Sequence, residues 1–369
     1  MKILVAPLNW GLGHASRCVP LVRRFMQEGH EVILGGDGES LILLRKHFPK
    51  LRYTYLAPLN LRYSNGKRQV FAMVRAIPKL FTWALKDHWI LKNLLKEEHI
   101  DLVVSDNRFG LYLTAKHTAA QKNGLFHDTE TVYMTHQLHI MLPKGWRWLE
   151  TLVARMHARI YTRFNKVWVP DYEDRQKCLA GDLSHLTHLP LRNMPCTIEY
   201  IGPLSRFEKM LSKQNIATNT SEKYEVVVVL SGLEPQRTLL EKEIAARFSD
   251  SKQRVLIVQG LMNRPNTRIK RANLTFVPHM SDSELVPALM AAKHIIARSG
   301  YSTIMDLHAL GLLNSQFSIL NSQFSILNSQ LSIPNSQFSI LNSQLELIPT
   351  PGQPEQEYLA HFHALKTEK

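Results

Sequence analysis

The fold is decided by the first fourteen residues, Met1-Lys-Ile-Leu-Val-Ala-Pro-Leu-Asn-Trp-Gly11-Leu-Gly13-His14. Within them, Ile3 to Ala6 is an apolar run typical of a buried strand, and Ala15 to Gln27 carries apolar groups at helical spacing. Gly29 marks the end of that helix, and Glu31 to Gly35 predicts a second strand. Together these elements predict a right-handed βαβ unit, which binds ligands at the carboxyl ends of its strands.

The glycine turn is compatible with two kinds of site. A dinucleotide-binding fold also begins in this way, and Asp37 after the second strand suits a ribose acceptor. Against that interpretation, Ser16 replaces the third glycine of the pattern, and a pyrophosphate cradle has no need of His14. His14 is therefore a candidate functional residue, although a structural role, bonded to neighbouring backbone, is equally compatible with its position.

Length and charge limit the classes of protein to consider. The 369 residues are 44% apolar and exceed the usual size of one domain, which favours two domains. Lys and Arg outnumber Asp and Glu by 45 to 31, and the net charge of +14 predicts an anionic partner. Nucleic acid, a membrane surface and a phosphorylated substrate all fit that charge. Three scattered cysteines and the lack of a secretory signal predict a cytoplasmic protein.

Two stretches, 66–98 and 145–164, mix aromatic and aliphatic residues with Lys and Arg. Such helices either bury an apolar face against a sheet or lie in the headgroup layer of an anionic membrane. No apolar run reaches the roughly 18 residues that a membrane span requires. We expect peripheral association with the inner face of the cytoplasmic membrane, and no nucleic-acid partner.

Polar residues follow two further predicted strands of the first half. The strand Asp101 to Ser105 ends at Asp106 and Asn107, and the strand Thr131 to Thr135 ends at His136. Because parallel strands of one sheet end at one edge, these side chains are expected to share a crevice with His14.

The second half repeats the pattern. The strand Tyr224 to Leu230 leads into a turn at Ser231 and Gly232. A later strand leads into Arg298-Ser-Gly-Tyr-Ser-Thr303, a helix start whose free N–H groups suit a diphosphate. Asp306, one turn inside that helix, can accept from a ribose or simply be favoured by the helix dipole. The predicted division is a domain at 1–170, an interdomain segment at 171–207 and a domain at 208–369.

A heptapeptide repeat interrupts the second domain at 314–345. The unit Asn-Ser-Gln-Phe-Ser-Ile-Leu starts at Asn314 and recurs with small changes up to Leu345. It lacks the charged flanks of a coiled coil, and Pro334 would break a helix. We interpret it as a translated tandem DNA repeat that forms a disordered loop on the side opposite the ligand crevice.

These motifs together resemble the MurG-like glycosyltransferases, which have two Rossmann-like domains facing a cleft (the GT-B fold). Gly11-Leu-Gly13-His14-Ala15 resembles the N-terminal loop of that family, and Ser231-Gly232 resembles its second glycine loop. Arg298 to Asp306 resembles the donor helix, and Ile348 to Ala360 resembles the loop that contacts the donor sugar. The subgroup that transfers N-acetylglucosamine to lipopolysaccharide is the most similar, with Tyr200-Ile-Gly-Pro-Leu-Ser-Arg-Phe207 among the shared motifs. The resemblance covers Met1 to about Ala360.

The resemblance implies transfer of N-acetylglucosamine from its uridine diphosphate donor to a lipid-linked or cell-envelope glycan, with inversion and without a cofactor or metal. His14 is the candidate general base, and Asp106 is the second candidate. The donor is expected to bind in the second domain, and the acceptor in the first. The remaining expected binding residues are Gly11, Gly13, Asn107, His136, Ser231, Gly232, His279, Met280, Ser299, Gly300, Ser302, Thr303, Asp306, Gln353, Glu355 and Gln356.

Two departures from the family keep other functions open. The repeat stands where the family has a few residues, and the chain stops at Lys369, before the helices that the family adds. The second domain is therefore expected to be truncated at its C-terminus. A sugar-nucleotide epimerase of the same architecture and an inactive nucleotide-sugar-binding remnant are the alternatives.

Overall fold

The chain forms two compact units, Met1–Leu204 (unit 1) and Ser205–Lys369 (unit 2). Each unit is built on a seven-stranded sheet. This confirms the predicted α/β class with two parallel-sheet domains. The computed structural model describes residues 1–59, 69–108, 110–120, 129–185, 196–211, 224–313, 319–321 and 344–367.

Unit 1 carries a parallel sheet in the order β3-β2-β1-β4-β5-β6-β7. Its strands are β1 (Lys2–Pro7), β2 (Glu31–Gly36), β3 (Arg52–Tyr55), β4 (Leu102–Asp106), β5 (Glu130–Met134), β6 (Lys166–Val169) and β7 (Thr197–Tyr200). Its α-helices are α1 (Gly13–Gln27), α2 (Gly38–His47), α3 (Gln69–Glu97), α4 (Leu111–Ala120) and α5 (Glu150–Tyr161). Short 3₁₀ helices span Lys144–Leu149 and Gly181–Leu183.

The first strand and helix form as the sequence predicts. β1 lies between β2 and β4, and Ile3, Leu4 and Val5 are buried, because a strand covered on both faces can be apolar throughout. Residues 15, 18, 19 and 22 of α1 are buried at helical spacing. The helix gives way to the next strand at Gly29, whose φ of +80° is readily available only to glycine.

Unit 2 carries a sheet in the order β10-β11-β9-β8-β12-β14-β13, in which the β10–β11 pair is antiparallel and the other pairs are parallel. Its strands are β8 (Val226–Val229), β9 (Val255–Val258), β10 (Ile269–Arg271), β11 (Leu274–Val277), β12 (His294–Arg298), β13 (Ile319–Asn321) and β14 (Gln344–Ile348). Its helices are α6 (Glu208–Leu211), α7 (Gln236–Arg247), α8 (Asp282–Ala291), α9 (Tyr301–Ala309) and α10 (Pro354–Thr367).

Helices cover both faces of the second sheet. Val227 of β8 joins an apolar cluster with residues of α8 and α9, whereas Val226 and Val228 join a cluster with residues of α7. This alternation follows the two-residue period of a strand and explains why β8 is apolar throughout.

The expected interdomain segment at 171–207 belongs largely to unit 1, which corrects the predicted boundary. It contains β7, which pairs with β6. The buried carboxylate of Asp171 accepts hydrogen bonds from the backbone N–H groups of Leu179 and Ala180, at 2.8 and 3.0 Å. The prolines and polar residues of this segment are typical of a loop, so the sequence pattern did not indicate that it belongs to the first domain.

Part of the heptapeptide repeat is ordered, which corrects the expectation of a loop that is disordered throughout. Ile319–Asn321 forms β13 and pairs in parallel with β14, and β14 itself begins inside the repeat at Gln344. The rest of the repeat, 314–318 and 322–343, lies outside the described residues, so its placement opposite the ligand crevice stays a prediction.

Candidate active site

His14 lies in the first turn of α1, directly above the carboxyl end of β1. The turn between them contains Gly11, whose φ of +79° favours glycine. Because β4 pairs with β1, the last residue of β4, Asp106, lies beside this turn. The Nδ1 atom of His14 is 3.1 Å from the Oδ1 atom of Asp106. The structure therefore brings together the two candidate catalytic residues.

Arg17 completes this arrangement from the next turn of α1. Its Nε donates to Oδ2 of Asp106 at 2.8 Å, and its Nη2 donates to Oδ1 of the same carboxylate. The Sγ atom of Cys18 is 3.6 Å from Oδ2. Burial alone would raise the pKa of Asp106, but the charges of Arg17 and His14 outweigh burial and hold that pKa below its usual range. Asp106 is therefore a carboxylate at neutral pH.

Burial changes the role that Asp106 can play. The Asp106 side chain is 0% exposed, whereas the His14 side chain is 16% exposed. A substrate hydroxyl has no access to the Asp106 oxygens, all of which have partners within unit 1. This burial argues against Asp106 as the base, and its contact with Nδ1 of His14 suits a residue that orients the ring.

His136 follows β5 and belongs to the same cluster. Its Nδ1 is 2.9 Å from Nη1 of Arg17. A guanidinium can only donate, so this hydrogen bond requires a lone pair on Nδ1 of His136. We expected His136 to contact substrate, but the residue is buried and its Nδ1 contacts Arg17. We refer to His14, Arg17, Asp106 and His136 as the histidine–aspartate cluster.

Asn107 lies between two residues, Asp106 and Arg108, whose side chains belong to different polar networks. Its φ of +53° is a left-handed conformation that asparagine tolerates better than most residues. Asp106 before it faces α1, whereas Arg108 after it binds Asp87 of α3 at 2.6 Å and Asp37 at 2.9 Å. This pairing engages Asp37 in a buried ion pair, which removes it as the ribose acceptor of a dinucleotide site. Asn107 itself is half-buried, as are Gly11 and Gly13.

Unit 2 places the expected donor-binding residues at one edge. Ser231 and Gly232 follow β8, and α9 follows its neighbour β12. Gly232 has a φ of +100°, and no atom lies within 4 Å of the position that a Cβ would occupy. Ser302 and Thr303 are half-buried in the first turn of α9, where backbone N–H groups lack helical partners. We call these strand ends, with those of β11 and β14, the carboxyl edge of unit 2.

The sugar-contacting loop expected at Gln353 to Gln356 forms the start of α10. The backbone oxygen of Gln356 accepts from the Ser299 hydroxyl at 2.8 Å, and its side-chain oxygen accepts from the Thr350 N–H at 2.8 Å. Ser299 lies between β12 and α9 and is fully buried, so its hydroxyl joins this turn to α10 and is not presented to a ligand as expected. Gln353 and Glu355 are half-buried.

Asp306 is held by two residues whose role the sequence did not reveal. Ser205 donates to its Oδ1 at 2.6 Å, and the Nε of Arg206 lies 3.6 Å from Oδ2. Burial raises the pKa of Asp306 to about 6, against the opposing charge of Arg206. Ser205 and Arg206 stand in the Tyr200 to Phe207 motif, which carried the resemblance without an assigned function.

His279 and Met280 follow β11, two strands from β8 in the sheet order, and both are half-buried. The Met280 side chain packs against the apolar cluster of α8. The backbone here remains a candidate surface for a nucleotide base. Within the described ranges, no group of three or more His, Cys, Asp or Glu side chains is placed to hold a metal ion.

None of the helices in the described part of the chain is long and apolar enough to cross a bilayer. The fold is that of GT-B glycosyltransferases. The glycosyltransferase of kitacinnamycin aligns with a TM-score of 0.51 at 11% identity, covering 100% of this chain and 94% of that chain. The spinosyn rhamnosyltransferase SpnG, complexed with thymidine diphosphate, aligns with a TM-score of 0.51 at 13% identity, covering 100% and 90%. At such identities the likeness concerns the fold alone.

The chain is also similar in sequence to archaeal proteins. An uncharacterized glycosyltransferase of Methanosarcina acetivorans is 24% identical over 325 residues, 85% of this chain and 78% of the relative. Another from Methanosarcina mazei is 23% identical over 317 residues, 84% and 78%. No family model matches the chain. The assignment to the MurG-like subgroup stays a prediction from the sequence motifs.

Proposed function

We propose that the chain transfers a sugar, N-acetylglucosamine, from a uridine diphosphate donor to a hydroxyl of a lipid-linked or cell-envelope glycan. Unit 2 binds the donor, and unit 1 binds the acceptor and supplies the base. The observation that carries this proposal is the contact of half-buried His14 with buried Asp106 at the carboxyl end of a GT-B sheet. The names of the Methanosarcina relatives support the activity.

His14 is suited to general-base catalysis. When its Nδ1–H donates to Asp106, the lone pair stays on Nε2, which takes the proton of the acceptor hydroxyl. The hydroxyl oxygen attacks the anomeric carbon as the bond to the diphosphate oxygen breaks. The Asp106 carboxylate stabilises the imidazolium that forms. A single displacement with one base inverts the anomeric configuration.

The carboxyl edge of unit 2 supplies the donor contacts in this proposal. Backbone N–H groups at Gly232 and at the start of α9 face the diphosphate, with Ser302 and Thr303 as hydroxyl donors. Asp306 accepts from the ribose, and the start of α10 contacts the sugar. The thymidine diphosphate complex of SpnG supports a nucleoside diphosphate as the ligand of this fold.

Donor binding is tested by calorimetry with UDP, UDP-N-acetylglucosamine, UDP-glucose and thymidine diphosphate. Gly232→Ala places a Cβ on a left-handed backbone in the open space before the donor, so affinity is expected to fall about tenfold. Gly29→Ala is the matched control, because Gly29 has a φ of +80° and open space at the end of α1. Equal affinities in the two variants, or no binding by the wild type, would contradict the donor site.

An exposed stripe on α5 and the 3₁₀ turn before it supports association with an anionic membrane. Trp148 is 75% exposed, and Leu152 and Met156 are 53% and 56% exposed. Their four-residue spacing puts them on one face of a helical path. Three exposed arginines border this face and favour anionic headgroups: Arg147, Arg155 and Arg159. Placement at the cytoplasmic face stays a prediction from the sequence.

Sedimentation with vesicles tests this surface. The wild type is expected to bind phosphatidylglycerol vesicles and not phosphatidylcholine vesicles, and Trp148→Ser is expected to lose several-fold in binding. Tyr55→Ser is the matched control, because Tyr55 is 64% exposed on β3. Equal binding to both vesicle types, or self-association through the stripe in ultracentrifugation, would overturn the assignment.

A further inference from the structure

The Nδ1 atom of His14 has two competing neighbours. It lies 2.9 Å from Nη2 of Arg17 and 3.1 Å from Oδ1 of Asp106. One ring nitrogen cannot donate a hydrogen bond to the carboxylate and accept one from the guanidinium at the same time. The balance between Arg17 and Asp106 therefore decides which nitrogen of His14 carries the proton, and hence whether Nε2 has a free lone pair.

Arg17 also limits how strongly Asp106 favours a charged imidazole. A buried carboxylate without a cation partner would stabilise imidazolium at His14, and imidazolium has no lone pair with which to take a proton. Arg17 forms a two-point contact with the carboxylate through Nε and Nη2, so most of that charge is already compensated. The neutral imidazole that a base requires is thereby favoured.

The same guanidinium sets the state of His136. Its Nη1 donates to Nδ1 of His136 at 2.9 Å, which requires the neutral ring with its proton on Nε2. A protonated His136 would place a second cation beside Arg17 within a buried cluster. Arg17 therefore acts on both rings of the cluster but in different ways, as a charge partner for Asp106 and as a donor to His136.

Among the described residues, two further titratable groups adjoin Asp106, and both are neutral at pH 7. Cys18 on α1 contacts Asp106, and Tyr133 on β5 interacts electrostatically with the Asp106 carboxylate. Burial raises the pKa of the Cys18 thiol and that of the Tyr133 phenol. In the described part of α1, β4 and β5, the charges that contact His14 are thus those of Arg17 and Asp106.

We propose that Arg17 is a positioning residue that keeps the His14–Asp106 pair in its neutral-imidazole form and holds His136 as a neutral acceptor. This inference rests on the proposed function, in which His14 is the base. It predicts that loss of the Arg17 charge moves the protonation of the pair to higher pH, where the base would already be occupied by a proton.

Nitrogen-15 NMR of the full chain with labelled histidine tests the proposal without any substrate. The signals of the two rings are assigned with His14→Gln and His136→Gln. In the wild type at neutral pH, His14 is expected to carry its proton on Nδ1 and His136 on Nε2. In Arg17→Gln, the His14–Asp106 pair is expected to take up its proton about one pH unit higher or more.

Two controls separate this role from a merely structural one. Arg24→Gln removes an exposed arginine of the same helix and is expected to leave the titration unchanged. Arg17→Lys keeps a cation and is expected to shift the titration by less than half as much as Arg17→Gln. Should Arg17→Gln not fold, the wild-type spectrum and Arg17→Lys still decide the matter.

A wild-type His136 protonated on Nδ1, or an unchanged titration in folded Arg17→Gln, would overturn the role of Arg17. The expected shift in a protein without transferase activity would instead overturn the proposed function and leave this inference intact. In an active enzyme, the acidic limb of the rate profile is expected to move upward with the NMR titration.

Discussion

Two histidine–aspartate pairs lie at opposite ends of β4. At the carboxyl end, His14 Nδ1 is 3.1 Å from Asp106 Oδ1, and at the amino end His99 Nε2 is 3.0 Å from Asp101 Oδ1. The distances are nearly equal, so distance does not distinguish them. Their surroundings do, because the His99 and Asp101 side chains are 68% and 31% exposed, whereas those of His14 and Asp106 are 16% and 0% exposed.

The partners of the two carboxylates differ as well. The backbone N–H of Lys2 donates to Asp101 at 2.5 Å and, with smaller help from His99, lowers the pKa of Asp101 in a solvated setting. For Asp106 burial opposes ionisation, and the Arg17 charge overcomes it. A histidine–aspartate contact thus becomes a candidate catalytic pair only when the carboxylate is buried and a cation keeps it ionised.

The largest expected difference between the pairs is in stability. Asp106→Asn leaves Arg17 buried with a neutral partner, so the free energy of unfolding is expected to fall by about 3–5 kcal/mol. Asp101→Asn alters a solvated pair and is expected to cost less than about 1 kcal/mol. Urea unfolding of both variants measures this. Equal losses would show that the burial of Asp106 contributes nothing to the contrast.

A third carboxylate extends the comparison to unit 2. The Asp306 side chain is 14% exposed and that of Asp106 is 0% exposed, but the Nε of Arg206 is 3.6 Å from Asp306, whereas Arg17 binds Asp106 at 2.8 Å. Burial therefore prevails at Asp306 and raises its pKa to about 6. In the proposed donor site Asp306 accepts from the ribose as a carboxylate, so affinity for UDP-N-acetylglucosamine is expected to fall roughly tenfold as the pH drops from about 7.5 to about 5.

Calorimetry across that pH range checks the expectation, and Asp306→Asn is expected to abolish the dependence. Because the folded pKa lies above the unfolded value of 3.8, the contribution of Asp306 to stability is full below that value and is lost as the pH rises through about 6. Asp250→Asn, at an exposed aspartate, is the control. A dependence that persists in Asp306→Asn would remove this residue from the donor site.

The smallest expected effect concerns salt. Exposed charges are screened at high ionic strength, whereas buried pairs are screened much less. The stability cost of Asp101→Asn is therefore expected to shrink by a few tenths of a kcal/mol between about 0.05 and about 0.5 M NaCl, and the cost of Asp106→Asn to stay constant. Equal salt dependence in the two variants would argue that Asp106 is reached by solvent.

The apolar strands at the centre of each sheet were predictable from the sequence, but the edge strands were not. The sequences of β1 and β8 are continuous apolar runs, which are typical of buried strands. Each is followed by a glycine turn and a helix. β3 has the sequence Arg-Tyr-Thr-Tyr and lies at the sheet edge with largely exposed residues, so it lacks the apolar pattern. β7 is an edge strand among prolines, which led to a boundary placed too early.

Site residues at the ends of strands were predictable from the sequence. Contacts between residues that are far apart in the sequence were not. His14 and Asp106 stood out because each follows a strand of one parallel sheet. Arg17 lies within the predicted helix Ala15 to Gln27, and its position one turn after His14 on the same helix face was an available signal. Ser205 lies 101 residues from Asp306, and no local pattern reveals that their side chains meet.

We infer that buried Asp106, paired with Arg17, makes His14, and not His99, the base of a sugar transfer. The direct test measures UDP formation from UDP-N-acetylglucosamine, with a membrane lipid extract as acceptor, in wild type, His14→Ala and His99→Ala. His14→Ala is expected to lose about 10² or more in turnover with donor affinity nearly unchanged, His99→Ala to match the wild type, and the product to have inverted configuration. Equal turnover in the two variants, or equal loss of turnover and donor affinity in His14→Ala, would contradict the account.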